Sequence, residues 1–174
     1  MNKPLITLQD INTLARPCTA DEDIANAFIA EAQREDIRHR LGDALYLQLD
    51  DAKENSPVRF LRDGGVWTDS HERQHMLVGV KTALAYYALA RITRDGNIQA
   101  SRYGAVVKDS DYSTEAESQE RNRQYRELFA QADAYMAECL AYIEAHPSDF
   151  PSYTTTCTRS AVNNRMTIRV IKKI

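Results

Sequence analysis

The sequence predicts a mainly α-helical protein: a bundle of about four to five helices with a short β-like segment near residues 101–108 and an extended C-terminal tail. Three features of the 174 residues indicate this fold class. Apolar residues recur every three to four positions, which is the period of an amphipathic helix. Capping residues precede these periodic stretches. Hydrophobic residues make up 43% and charged residues 27% of the chain, as in globular rather than disordered proteins.

Capping residues predict two helices near the start of the chain. Thr7, followed three residues later by Asp10, indicates a short helix that Pro17 stops. Thr19 followed by Glu22 has the form of a capping box and indicates the start of a second helix. The apolar stripe of that helix is formed by Ile24, Phe28, Ile29 and Ala32.

Glycine and proline divide the next part of the chain into further helical segments. Gly42 is expected to end the second helix, and Asp43 can cap the third. Turn-forming residues at 55–57 and 63–65 leave room for about one helical turn over residues 58–62.

A long central helix is predicted to begin with Asp69 or Ser70 as its cap and to reach about Arg94. Its many alanines favour helix formation and allow close packing. Helical spacing brings together on one face Leu77, Val80, Leu84, Tyr87, Ala88 and Arg91.

The last third of the predicted body combines the β-like segment with the longest helix. Residues 101–108 lack a helical period and alternate instead, which predicts a short strand or hairpin. Thr114 with Glu117 forms another capping box, and the helix it opens is expected to end at Ala145, just before a proline. The folded core is therefore expected to lie within residues 5–146.

The C-terminal tail differs from the body in pattern and charge, which predicts a helical domain over residues 1–153 and an extended basic arm over 154–174. Residues 166–174 alternate as a strand does. The net charge of the chain is −3, but five cations and no anion follow Cys157. Residues 1–157 therefore contain 17 basic and 25 acidic residues, which gives this part of the chain a net charge of −8. Such a body is not expected to bind nucleic acid, because phosphate contacts need clustered Lys and Arg.

The sharpest candidate for chemistry is the H-E-x-x-H segment. On a helix, His71 and His75 would share one face and could bind zinc, with Glu72 as general base. The segment falls in a solvated first turn without a clear third ligand, so it is a weak metal candidate, and the sequence predicts no catalytic residue and no cofactor. Adjacent carboxylates such as Glu35 and Asp36 are expected on a solvated helix surface, since sequence neighbours on a helix do not face each other.

Several short motifs follow one another in a recognisable order over residues 5–153. They are Leu5-Ile6-Thr7 with Asp10-Ile11, residues 29–33 with Asp36-Ile37, residues 41–46, Gly64-Gly65, residues 80–91, Gly104–Val107 and the long helix ending near His146-Pro147. In this order they resemble the head–tail connector proteins (head-completion or adaptor proteins) of tailed phages, in the form found in prophages of gut bacteria.

The resemblance implies a structural subunit rather than an enzyme. Such subunits form a homo-oligomeric ring, often twelvefold, that joins the portal protein to a tail or stopper protein and lets DNA pass through its bore without specific binding. The implied location is the virion, with assembly in the host bacterial cytoplasm and no membrane partner. Two alternatives from other classes are a zinc-dependent hydrolase using His71, Glu72 and His75, and a host helical protein-interaction module.

The basic arm is predicted to bind a partner rather than DNA, because apolar residues alternate with its cations. Such a segment can add a strand to the edge of a partner's sheet while its cations meet an acidic surface. The residues expected to make this contact are Arg165, Met166, Ile168, Arg169, Val170, Lys172 and Lys173.

Overall fold

The computed structural model describes residues 4–50, 52–69, 71–96, 98–101, 104–107 and 118–153. In this part of the chain the elements are mostly helical, which confirms the predicted fold class. The elements are α1 (Leu8–Leu14), α2 (Glu22–Ala32), a π-helical segment (Gln33–Arg38), α3 (His39–Leu41), α4 (Asp43–Asp50), α5 (Pro57–Asp63), β1 (Gly65–Thr68), β2 (Gln74–Leu77), α6 (Val80–Asp95), β3 (Ile98–Ser101), β4 (Gly104–Val107) and α7 (Ser118–Ala145).

The start of α1 is the predicted one, whereas the predicted start of α2 is wrong. Thr7 and Asp10 form a reciprocal capping box, in which each side chain accepts a hydrogen bond from the other residue's backbone N–H. No such box forms at Thr19, because the backbone is still extended at Asp21 (φ −62°, ψ 138°) and α2 begins only at Glu22. The acidic first turn of α2 suits the positive end of the helix dipole.

The helix that begins with α2 continues through the π-helical segment and ends at Gly42, as predicted. Gly42 has φ +77°, a conformation that glycine adopts without strain. A π-helical turn holds extra residues and changes which side chains face inward. Gln33, Asp36 and Ile37 are all buried in this segment, so the prediction that Asp36 lies on a solvated surface is wrong.

The central helix α6 is the most buried element, with nine buried residues from Val80 to Arg91. It packs along α7 and also contacts α1, α2 and α5. Its predicted start at Asp69 or Ser70 is wrong, because residues 65–77 form the antiparallel β1–β2 hairpin.

Glycines at the base of this hairpin explain why the helix starts late. Gly64 and Gly79 both have φ +85°, and a Cβ atom on Gly79 would lie 2.6 Å from the backbone nitrogen of Gly64. The two ends of the hairpin can approach this closely only because neither residue has a side chain. Valine, tryptophan and threonine in β1 also favour a strand over a helix.

The predicted β-like segment near 101–108 is confirmed as a second antiparallel hairpin, in which β3 pairs with β4. Thr114 lies outside the described residues, and α7 ends at Ala145 as predicted. The core extends further than predicted, because Phe150 is only 3% exposed. No helix among the described residues is long and apolar enough to cross a membrane.

Candidate functional site

The H-E-x-x-H segment lies on the β1–β2 hairpin and not on a helix. His71 and Glu72 occupy the turn, where Glu72 has φ +62°, and His75 is in β2. The prediction that both imidazoles share one helix face is therefore wrong. No group of three or more His, Cys, Asp or Glu side chains among the described residues is arranged to hold a metal ion.

The carboxylate of Asp69 organises the turn of the hairpin. It accepts hydrogen bonds from the backbone nitrogens of His71 (2.8 Å) and Arg73 (2.9 Å), and the Arg73 guanidinium pairs with it at 2.8 Å. His75 Nε2 lies 3.1 Å from the same carboxylate. The backbone hydrogen bond from Arg73, the largest cause, together with those from His75 and His71 holds the pKa of Asp69 far below its usual value. Asp69 is thus an anion that fixes the turn.

The inner face of the hairpin is attached to the end of α7 by an aromatic cluster around Trp67. The His75 ring stacks on Trp67 with centroids 4.7 Å apart, on the strand position directly opposite. Tyr142 of α7 and His146, which directly follows α7, meet Trp67 edge-on at 5.4 and 4.9 Å. His146 Nδ1 lies 2.9 Å from the Tyr142 carbonyl, to which it donates. In this structure His75 and His146 act as packing rings.

The outer face of the hairpin is exposed and apolar at its centre. Val66 and Met76 pair across the two strands and are 60% and 75% exposed. Because strand side chains alternate between faces, Val66 and Met76 point outward, on the side opposite to the partly buried Trp67. Two adjacent apolar side chains are thus exposed at the centre of this face.

A charge cluster with a buried ion pair at its centre joins α2, the π-helical segment and α6. Arg91 lies 2.8 Å from Asp36 Oδ2 and 3.1 Å from Glu31. Asp36 and Arg91 thus form an ion pair between two buried side chains. Burial raises the pKa of Asp36, although the charge of Arg91 opposes this. The pair was not predicted from the sequence, although a charged Arg91 within an apolar stripe is a signal that could have indicated it.

A second pair of contacts extends this cluster to α7. Asp133 accepts hydrogen bonds from Arg40 Nη2 (2.5 Å) and from the Tyr87 hydroxyl (2.6 Å). Burial and the bond to Asp133 raise the pKa of Tyr87, which therefore stays a neutral donor. These polar contacts join α3, α6 and α7, and they stabilise the packing of the three helices.

A groove of about 560 Å³ opens beside α2 and α4. The Gln33 amide donates to the Tyr46 hydroxyl at 2.9 Å and its oxygen accepts from the Leu5 backbone, while Leu47 at the rim is 57% exposed. Arg38 and Asp43 pair at 2.6 Å. The lining residues are Ala30, Gln33, Arg34, Arg38, Asp43, Tyr46 and Leu47. This lining combines charged, polar and apolar side chains.

The chain belongs to DUF6712, a family of unknown function, and the match covers residues 37–162. No curated protein and no solved structure matches the chain. The matched span contains both hairpins, α6 and α7, so the aromatic cluster around Trp67 lies within the part that defines the family. The predicted partner-binding residues Arg165, Met166, Ile168, Arg169, Val170, Lys172 and Lys173 lie outside the described residues.

Proposed function

We propose that this chain is a structural subunit of a phage head–tail connector, which forms a ring between the portal protein and the tail or stopper protein. The observation that carries the proposal is that the motifs behind the resemblance are the residues that build the core. Ile29, Ile37 and Leu41 are buried, and so is most of 80–91. The likeness therefore concerns the scaffold and not scattered surface positions.

The charge of the body supports the same function. Residues 1–157 carry a net charge of −8, so DNA passing through a ring of such subunits meets like charge and little counterion-release attraction. The subunit belongs in the virion, and it assembles in the cytoplasm of the host bacterium.

The role of the histidines supports a structural function rather than a hydrolytic one. His75 is held between Trp67 and Asp69, and His71 lies in the turn. A zinc hydrolase would need both imidazoles to converge on one ion with a second shell that orients them. The arrangement instead suits a rigid projection on a helical body.

Co-expression with the cognate portal protein tests the proposal. A tag on the portal should co-purify the full-length chain, and electron microscopy of the eluate should show rings stacked on the portal. A gel-shift assay at physiological salt should show no binding of duplex DNA. A chain that stays monomeric and unbound beside an intact portal ring would refute the proposal and favour the host interaction module.

A further inference from the structure

Among the described residues, the β1–β2 hairpin has an exposed apolar face, and no third strand pairs with either of its edges. Val66 and Met76 are the most exposed large apolar side chains in the described part of the chain. Within that part, β1 and β2 pair only with each other. Each strand therefore keeps one edge of backbone N–H and C=O groups that can accept a further strand.

The end of α7 beside this hairpin is acidic. The sequence contains no Lys or Arg between Arg126 and Arg159. Glu138, Glu144 and Asp149 are exposed, and none of the ion pairs among the described residues includes them. Because Tyr142 and His146 contact Trp67, this acidic stretch of chain adjoins the inner face of the hairpin.

The C-terminal arm has the complementary pattern. Over residues 165–170, one side of the strand-like stretch holds Met166, Ile168 and Val170, and the other holds Arg165, Thr167 and Arg169. After Val170 the alternation ends, since Ile171 falls on the second side and Lys172 on the first. A strand with this alternation presents one apolar and one cationic side. Added to the hairpin edge, it would continue the Val66–Met76 face with its apolar side and turn its cations toward α7.

We propose that residues 163–174 of a second copy of this chain add as a strand to the β1–β2 hairpin, with their cations against the acidic end of α7. The inference rests on the proposed ring and names one contact between its subunits. A shared sheet edge provides backbone hydrogen bonds, and alternate side chains provide specificity.

The proposed ring places a second copy beside each subunit, and the length of the arm allows it to reach that copy. The described chain ends at Tyr153, close to the hairpin, because Phe150 packs on Tyr142 and Tyr142 on Trp67. Residues 154–165 can span up to about 40 Å when extended. An extended span of this length is long enough to reach the hairpin of a neighbouring subunit in the proposed ring.

Photo-crosslinking of the full-length protein tests this contact. The photoreactive residue p-benzoylphenylalanine replaces Val66, and equal amounts of ¹⁵N-labelled and unlabelled protein are mixed before irradiation. Mass spectrometry should find the crosslink in peptides from residues 163–174, as mixed heavy–light pairs. The same probe in place of Leu47, which is exposed on α4, should not link to these peptides.

A charge reversal supplies a matched comparison within the arm. Arg169→Glu should lower the yield of the mixed crosslink by about tenfold or more, whereas Arg159→Glu, which precedes the strand-like stretch, should change it by less than about twofold. Crosslinks within one chain, crosslinks to other segments, equal losses in the two variants or no crosslink at all would each overturn the proposal. Because the readout needs no portal protein, its failure is distinguishable from failure of the connector function.

Discussion

Replacing Arg91 with methionine should destabilise the protein far more than its single charge would indicate. The Arg91 side chain is 8% exposed and its partner Asp36 is 9% exposed. Methionine fills much of the same volume but leaves the Asp36 carboxylate buried without its cation. Removing one partner of a buried ion pair typically costs about 3–5 kcal/mol, so Arg91→Met should lower the free energy of unfolding by about that amount.

Two further variants separate the lost charge from lost packing. Arg94→Met removes a more exposed arginine, 38% exposed in its pair with Asp95, and should cost about 1 kcal/mol or less. The double variant Asp36→Leu with Arg91→Met replaces the whole pair by apolar side chains and should return to within about 1 kcal/mol of the wild type.

Urea unfolding followed by far-ultraviolet circular dichroism measures all these free energies. The reasoning is refuted if Arg91→Met costs no more than Arg94→Met, because the buried pair would then contribute no more than a surface pair. It is also refuted if the double variant is as unstable as Arg91→Met alone, since packing rather than the uncompensated charge would then be the cause.

Three other predictions concern pH, the hairpin and metal binding. Burial raises the pKa of Asp36 above its ordinary value of 3.8. The folded protein therefore binds the Asp36 proton more tightly than the unfolded chain does, and this stabilises the folded state fully below pH 3.8. The stabilisation is lost as the pH rises through the raised pKa. Asparagine does not titrate, so the Asp36→Asn variant does not lose this stabilisation. The unfolding free energy of the variant should therefore rise relative to that of the wild type between about pH 3.5 and 7. A difference between the two proteins that stays constant over this range would contradict the prediction. Trp67→Ala should cost about 2–3 kcal/mol, less than a fully buried tryptophan, and exposed Thr68→Ala is its control in thermal melts. Purified protein should hold far less than one zinc per chain by elemental analysis; stoichiometric zinc that is lost in His71→Ala would count against a structural role for this segment.

Local sequence signals predicted much of the helical body. The Thr7 cap, the break at Gly42 and the end of α7 at Ala145 were all predicted from residues within a few positions of each feature. Capping and backbone conformation are short-range effects, because they depend on hydrogen bonds between neighbouring residues and on the presence or absence of a Cβ atom. The mainly α class follows from the sum of such signals.

The hairpin shows where local signals were misleading. Asp69 was predicted to cap a helix, and it does bind backbone N–H groups, but those of a β-turn. A helix cap and a β-turn both place a carboxylate before a run of polar residues, so the identity of the side chain alone does not distinguish the two structures. The glycines at 64 and 79 decide the outcome, because their close approach brings together two points fifteen positions apart.

The sequence by itself determined the helical class, most helix ends and the contrast between an acidic body and a basic arm. Only the tertiary structure decided that Asp36 is buried against Arg91, that His75 packs on Trp67, and that Val66 and Met76 share an exposed face. The reason is physical: periodicity and capping are properties of neighbouring residues, whereas the burial of a charge and the partner of a ring depend on which distant segments meet.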